Sequence, residues 1–363
     1  MHQQVRFCTS FDGVRIAYAL SGSGPPLVMS ASWLTHLEHQ WRSLAWHPWL
    51  EHFSKCHTLV RYDSRGCGLS DREVRDFSFE TWVRDFEAVI DATGFERFPL
   101  LATCQGGPIA IEYAARHPER VTHLVIYGSY TRGLARRDEM PDQVARSKVM
   151  LDLLRLGWGQ DNHAFLQIWA SLFQPGGTLR HLNSWSEQQK LSVSPEIAVR
   201  LLEIAFNVDV REAASRVKCP TLVVNPERDA LVPLEEGRKL AALIPGSRFA
   251  TLDTNNHMPL PEEPAWPRLL GEIERFLPRQ HPQWSTSGDA FRFSSLTERE
   301  RDVLDAIAGG LDNTEIAVKL EMAEKTVRNH VTRVLDKIGV GHRYEAIVLA
   351  RDAGFGRSAQ RPA

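Results

Sequence analysis

The sequence predicts an α/β protein with a mostly parallel sheet, a helical segment inserted into it and a small all-α domain towards the carboxyl end. Short, continuous apolar runs alternate with helices through most of the first 280 residues, which is typical of a buried parallel sheet. Residues 131–210 interrupt this alternation with a helical stretch rich in large apolar side chains. Beyond residue 279 the composition becomes polar and then helical again, which indicates a second domain.

Length and composition agree with a globular chain of two domains. The 363 residues fit about two domains, and the net charge of −2 shows no broad basic excess that would indicate nucleic-acid binding. The first residues contain no apolar signal-peptide segment, and no run approaches the roughly 20 apolar residues of a membrane span. Five cysteines without a Cys-x-x-Cys pair suit reduced thiols. We therefore expect a cytoplasmic protein with no membrane partner, no metal ion and no cofactor.

The elements of the first domain follow from apolar runs and turn residues. Asp12-Gly13 predicts a hairpin turn between the first two strands. Strands are predicted at residues 5–9, 14–20, 26–30, 57–62, 99–103, 121–127, 221–224 and 248–252. Helices are predicted at residues 79–93, 109–116, 234–243 and 266–277. The helical insert has two interpretations, a lid over the sheet or the core of a separate helical domain.

One predicted strand leads into a tight turn with a nucleophilic side chain at its tip. This turn reads Ala102-Thr103-Cys104-Gln105-Gly106, whereas a nucleophile elbow has the pattern Gly-x-Ser-x-Gly. Two of the three defining residues differ, so the motif alone is a weak signal. Considered by itself, Cys104 could be either a nucleophile or a buried apolar thiol, and the buried thiol is the commoner state of a free cysteine.

An acidic residue and a histidine follow two later strands, and their order gives this turn a context. Asp229 follows the seventh predicted strand and His257 follows the eighth. In this order the first domain resembles the α/β-hydrolase family, in which a nucleophile, an acid and a histidine follow successive strands. The resemblance implies that Cys104 is the nucleophile, Asp229 the acid and His257 the base. It also suggests the backbone N–H groups of Trp33 and Gln105 as oxyanion donors.

Catalytic turnover by this triad stays open at the level of sequence. Dienelactone-type hydrolases of the same fold use cysteine, and a cysteine beside a histidine and an aspartate can act as a nucleophile. Against efficient turnover, Ala102 and the β-branched Thr103 crowd the elbow, and the family's His-Gly oxyanion segment is absent near Trp33.

The C-terminal segment predicts four short helices, the first of which opens with the capping box Thr297-x-x-Glu300. The third, at residues 324–338, has apolar side chains at intervals of four and three: Val327, Val331, Val334 and Ile338. On another face the polar side chains are Thr326, His330, Arg333 and Lys337, flanked by Arg328 and Asn329. This pattern suits a helix that reads the major groove, and equally a helical bundle with a solvated face.

The segments around this helix resemble the LuxR/NarL-type helix-turn-helix, at residues 296–300, 313–317, 325–331 and 335–340. The resemblance implies a homodimer formed through the last helix. It also implies binding to duplex DNA through Lys325, Thr326, Arg328, Asn329, His330, Arg333 and Lys337. Ala323 stands where the family often has a capping Ser or Thr, a cap worth about 1 kcal/mol. Acidic residues slightly outnumber basic ones in this domain, so we expect modest non-specific affinity for DNA.

Together these patterns predict a cytoplasmic transcription regulator. An α/β-hydrolase-like domain at residues 1–280, with its insert at about 131–210, would bind a small apolar or carbonyl-containing molecule near the triad. A linker at 281–294 and a DNA-binding domain at 295–357 would follow. The expected partners are promoter DNA, the small ligand, a second copy of the chain and RNA polymerase.

A hydrolase joined to a DNA-reading domain would destroy the signal that it reads, so we expect a sensor with weak or no turnover. The alternative is an active cysteine-dependent hydrolase or thioesterase, acting on an ester, lactone or thioester, with an accessory DNA-binding module.

Overall fold

The computed structural model describes residues 3–137, 141–158, 164–277, 293, 296–338, 340–352 and 355–356. The chain divides into two compact units, an N-terminal unit of residues 1–92 and 96–279 and a C-terminal unit that contains residues 280–363. No helix among the described residues is long and apolar enough to cross a membrane.

A single mixed sheet forms the centre of the N-terminal unit. Its described strands are β1 (Gln3–Thr9), β2 (Arg15–Ser21), β3 (Pro26–Met29), β4 (Thr58–Tyr62), β5 (Phe98–Thr103), β6 (Val121–Tyr127), β7 (Thr221–Pro226) and β8 (Arg248–Leu252). They lie in the order β1-β2-β4-β3-β5-β6-β7-β8. β2 pairs antiparallel with β1 and with β4. The remaining neighbours in the sheet, β4-β3, β3-β5, β5-β6, β6-β7 and β7-β8, pair parallel. The predicted α/β class with a mostly parallel sheet is therefore confirmed.

The sheet is buried because its central strands carry apolar side chains on both faces. Each residue of β3, β4, β5 and β7 is buried, which explains the continuous apolar runs in the sequence. The helices of this unit are α1 (Leu37–Gln40), α2 (His47–Cys56), α3 (Phe79–Thr93), α4 (Gly106–Arg116), α5 (Pro141–Gly157), α6 (Ala164–Phe173), α7 (Leu179–Ser192), α8 (Pro195–Asn207), α9 (Arg211–Arg216), α10 (Leu234–Leu243) and α11 (Ala265–Phe276).

Most predicted elements agree with the observed ones to within two residues. The hairpin is present, with Thr9 opposite Arg15 and Gly13 at a φ of +88° that favours glycine. α4 begins at Gly106, three residues before the predicted start, because it follows the Cys104 turn directly. The prediction lacks α1 and α2, whose mixture of histidine and tryptophan gives little periodic signal.

The insert consists of helices α5 to α8 and lies between β6 and β7. Its two ends meet at an antiparallel bridge between Arg132 and Asp209. On either side of this bridge, Val210 N–H donates to the Thr131 carbonyl at 2.9 Å and Gly133 N–H to the Val208 carbonyl at 2.8 Å. The insert therefore begins and ends at one point, and α9 then leads the chain to β7.

The C-terminal unit has its own apolar core. Its helices are α12 (Glu298–Ala308), α13 (Asn313–Lys319), α14 (Glu324–Ile338) and α15 (Arg343–Asp352). The predicted apolar face of α14 is buried in this core. The predicted linker at 281–294 lies outside the described residues except for Phe293, which is buried in the same core and packs on Phe355 with ring centroids 4.8 Å apart. Packing of the unit thus includes a residue before position 295.

Candidate functional site

The turn after β5 holds Cys104 in a strained backbone conformation. Its φ is +49°, a left-handed value that is uncommon for a residue with a side chain. The conformation is held on both sides, because Cys104 N–H donates to the Tyr127 carbonyl at 3.0 Å and Ser129 Oγ donates to the Cys104 carbonyl at 2.6 Å. Gly107 allows this approach, since a Cβ there would lie 1.9 Å from Ser129 Oγ. The elbow therefore forms despite Ala102, whose predicted crowding does not prevent it.

Asp229 and His257 meet as the sequence order predicts. His257 Nδ1 lies 2.6 Å from Asp229 Oδ2, and both side chains are buried. The other carboxylate oxygen accepts the N–H groups of Leu231 at 2.8 Å and Val232 at 3.0 Å. With both oxygens committed, the carboxylate fixes the orientation of the imidazole and holds the proton on Nδ1.

The second ring nitrogen of His257, Nε2, is buried, and the side chain with which it interacts is that of Cys104. Burial lowers the pKa of His257, but the charges of Asp229 and of the nearby Cys104 outweigh it and raise the pKa to about 10. Gly128 leaves room for the ring, because a Cβ at this position would lie 2.8 Å from His257 Cε1. The imidazole is therefore placed to act as the proton acceptor of the Cys104 thiol.

The two backbone N–H groups suggested as oxyanion donors are those of Trp33 and Gln105. Neither Trp33 N–H nor Gln105 N–H donates a hydrogen bond to another described residue, although both residues are buried. The turn after Trp33 is strained, with Leu34 at a φ of +47°. Unpaired buried donors are costly, which favours an oxyanion or carbonyl oxygen as their partner.

Cys104 lies on the wall of a cavity of about 90 Å³ between the sheet and the insert. The Trp33 ring stacks on Trp169 of α6, with centroids 5.9 Å apart and an interplanar angle of 20°. Further apolar lining comes from Tyr130, Leu134, Met150, Phe173, Leu202, Ala205, Phe206, Leu231, Val232 and Pro233. Of the two interpretations of the insert, a lid over the sheet is the one that agrees with this packing.

Sequence reasoning missed three polar residues of this cavity, Arg137, Gln143 and Arg146. The insert contains many other charged and amide residues, so these three do not stand out in the sequence. Periodicity alone does not distinguish a side chain that faces inward from one that faces outward. No group of three or more potential metal ligands occurs among the described residues.

In the C-terminal unit, α14 presents the predicted polar face to solvent. Lys325, Thr326, Arg328, Asn329 and Arg333 are exposed, and His330 is half-buried. Arg328 makes an ion pair of 3.4 Å with Glu324 on the same helix, and an exposed pair of this kind is weak.

Lys337, on the same predicted face, has a different environment. Its Nζ lies 2.6 Å from Oε2 of Glu300, the capping-box residue of α12. This contact ties α14 to α12, so a phosphate contact by Lys337 would compete with an internal ion pair.

Comparison with known proteins agrees with both units. Residues 39–175 match the family described as the alpha/beta hydrolase fold, and residues 294–350 match the luxR family of bacterial regulatory proteins. The chain thus combines an α/β-hydrolase domain with a LuxR-family helix-turn-helix domain, as the sequence patterns predicted.

Individual relatives resemble the N-terminal part. The putative carbamate hydrolase RutD of Azorhizobium caulinodans is 28% identical over 66% of this chain and 87% of its own length. The strigolactone esterase D14 of Arabidopsis thaliana is 23% identical over 65% of this chain and 88% of its own. The crystal structure of the enol-lactonase from Burkholderia xenovorans LB400 superposes with a TM-score of 0.60 at 20% identity, covering 74% of this chain and 100% of that one.

Proposed function

We propose that this chain is a ligand-responsive transcription regulator, in which the C-terminal unit binds promoter DNA and the N-terminal unit binds a small apolar or carbonyl-containing molecule. The observation that carries the proposal is that Cys104 lines an apolar cavity in a chain that also has a LuxR-family DNA-binding domain. Concave, mostly apolar sites with a few polar groups are the usual form of small-molecule sites.

The strained elbow, the unpaired N–H groups and the His257–Asp229 pair support a ligand carbonyl held beside Cys104. A thiol in this position can add to a ligand carbonyl, with its proton passing through His257 to the carbonyl oxygen of the adduct. With an ester or thioester the bond to the alcohol or thiol breaks instead, and that leaving group takes the proton from His257. The fusion to a DNA-binding domain favours retention of the ligand over rapid hydrolysis, since a sensor must keep the signal that it reads.

The proposal includes a homodimer in the cytoplasm that contacts RNA polymerase. Two side chains of α15 support the dimer. Tyr344 and Val348 lie four residues apart on one face of this helix, with 64% and 60% of their surfaces exposed, and a second copy would cover them.

The DNA-binding part is tested with Arg328→Ala, which removes an exposed guanidinium from α14. We expect a specific genomic fragment to be bound by the wild type, and the variant to lose about 1–3 kcal/mol of affinity if Arg328 touches a base. The control is Arg238→Ala, which removes an exposed charge from the N-terminal unit. Equal loss in both variants, or no preferred fragment for the wild type, contradicts the proposal.

A second candidate function is cysteine-dependent hydrolysis, and the similarity to a putative carbamate hydrolase and a strigolactone esterase favours it. The two functions differ in turnover on aryl and acyl esters, lactones and thioesters. Repeated turnover that is lost in Cys104→Ala identifies the enzyme. A co-purified molecule retained without product, detected by native mass spectrometry, identifies the sensor.

A further inference from the structure

The cavity beside Cys104 has an uneven charge distribution. Its charged lining residues are Arg137 and Arg146, and no carboxylate is among the described residues that line it. The remaining polar lining consists of Cys104, Gln105, Tyr130 and Gln143, none of which carries a carboxylate. An apolar cavity with basic but no acidic lining favours a ligand that is itself apolar and negatively charged.

The charge of Arg137 is already compensated. Its Nε lies 3.2 Å from Glu236 Oε2, both side chains are almost fully buried, and its Nη1 donates to Gln143 Oε1 at 2.8 Å. This guanidinium is therefore part of the wall.

Arg146 differs from Arg137 in this respect. Its described polar contact is one hydrogen bond, from Nη2 to the Ala230 carbonyl at 3.0 Å, and it forms no ion pair with a described carboxylate. A guanidinium has five N–H donors, so most of its donors remain for a ligand.

The hydrogen bond to Ala230 also places Arg146 close to the triad. Ala230 follows Asp229 in the chain, so the guanidinium on α5 lies against the loop that carries the triad acid. Asp229 does not neutralise it, because both carboxylate oxygens are engaged inside the protein, by His257 and by two backbone N–H groups. Arg146 is consequently an exposed cation in the wall of the cavity, beside the loop that carries Asp229.

Building on the proposed function, we propose that the ligand carries a carboxylate that binds Arg146, with its apolar body against Trp33, Trp169 and Phe173. Arginine and carboxylate form charge-assisted, bidentate hydrogen bonds, and the three aromatic rings cover the rest of such a molecule. The substrate or signal class is thus an apolar monocarboxylic acid. Arg146 is exposed, so solvent weakens its interaction with a carboxylate and the expected preference for acids is moderate.

The test uses matched pairs of probes that differ in charge alone. ω-Phenylalkanoates from 3-phenylpropionate to 6-phenylhexanoate are compared with their primary amides in the full-length protein. Protection of Cys104 from iodoacetamide is followed by peptide mass spectrometry, and binding is measured independently by calorimetry. We expect at least one acid to half-protect Cys104 at a concentration about tenfold lower than its amide.

The variants assign this preference to a residue. Arg146→Gln is expected to remove the preference of the pocket for acids, whereas Arg146→Lys keeps part of it. Arg155→Gln is the control, because Arg155 lies nine residues further along α5 and pairs with Asp152 and Glu203 rather than lining the cavity. Each protection curve is referred to the labelling rate of the same variant without probe.

Two results overturn the inference. One is equal protection and equal affinity for acids and amides at every chain length. The other is the absence of acid binding in both assays. Specific DNA binding by the unliganded samples is measured in parallel, so a failure of this inference is distinct from a failure of the proposed regulator.

Discussion

At the scale of single residues, the site depends on a backbone strain that neighbouring groups maintain. A left-handed Cys104 is unfavourable by about 1–3 kcal/mol and persists only where surrounding contacts fix it. Here the contacts are main-chain and hydroxyl hydrogen bonds from the adjacent strand, β6, and the loop that follows it. Cys104 consequently lines the cavity, although only 8% of its surface is exposed.

This environment predicts selective reactivity of Cys104. At pH 7 it should react with iodoacetamide faster than Cys8 and Cys219, whose pKa values burial raises to about 11, and faster than Cys67, whose pKa burial raises to about 12. His257→Gln should slow Cys104 alone, because it removes the proton acceptor. Peptide mapping measures all four rates in one sample.

The matched control for this prediction is His52→Gln, which alters a partly exposed histidine that pairs with Glu274. Slow labelling of Cys104 that is insensitive to His257→Gln would make it an ordinary buried thiol.

At the scale of elements, the start of α12 connects the helices of the C-terminal unit. Thr297 and Glu300 cap each other's backbone N–H groups, and Glu300 also binds Lys337 of α14. Burial raises the pKa of Glu300, but the Lys337 ammonium and the Thr297 donors outweigh it and lower the pKa to about 2. The carboxylate thus serves as both a cap and an interhelical contact.

The lowered pKa gives this contact a defined pH dependence. Because the folded pKa lies below the unfolded value, the stabilisation is complete above about pH 4.5 and is lost as the pH falls towards 2. Thr297→Ala should cost about 1 kcal/mol of the stability of the C-terminal unit. Glu300→Gln should cost more at pH 7 and lose its difference from the wild type in acid, as measured by denaturant unfolding of the full chain.

Glu298→Gln is the control, since Glu298 is an exposed residue of the same helical turn without a described side-chain partner. If the wild type exceeds Glu300→Gln in free energy of unfolding by the same amount down to pH 2, the contribution of Glu300 does not depend on its charge.

At the scale of the whole molecule, regulation requires that ligand in the N-terminal unit changes DNA binding by the C-terminal unit. A ligand shifts such an equilibrium only by its difference in affinity for the two states. Couplings between sites are commonly 1–3 kcal/mol, about 5–150-fold in affinity.

We therefore expect the molecule that co-purifies with the chain, once identified by native mass spectrometry, to change operator affinity within that range. Small-angle scattering curves with and without it should differ. Cys104→Ala should bind operator as the wild type does without ligand, but respond differently when ligand is added. Unchanged affinity and superimposable scattering curves at saturating ligand would leave two units that act independently.

Much of the fold could be predicted from the sequence because it is encoded locally. The apolar runs of the parallel strands, the hairpin glycine and the two faces of α14 each follow from side chains a few residues apart. The order of Cys104, Asp229 and His257 on strand ends also predicted their meeting, because the carboxyl ends of parallel strands lie at one edge of a sheet.

The sequence by itself determined the class of fold, the candidate triad and the helix-turn-helix pattern. Tertiary structure alone decided which side chains of the insert face Cys104, that Arg146 reaches the Asp229 loop, and that Lys337 turns to Glu300. These contacts join residues about 30 to 100 positions apart. Their geometry depends on how whole helices pack rather than on any local periodicity. The sequence therefore identifies a basic residue, whereas the residue with which it pairs depends on the tertiary structure.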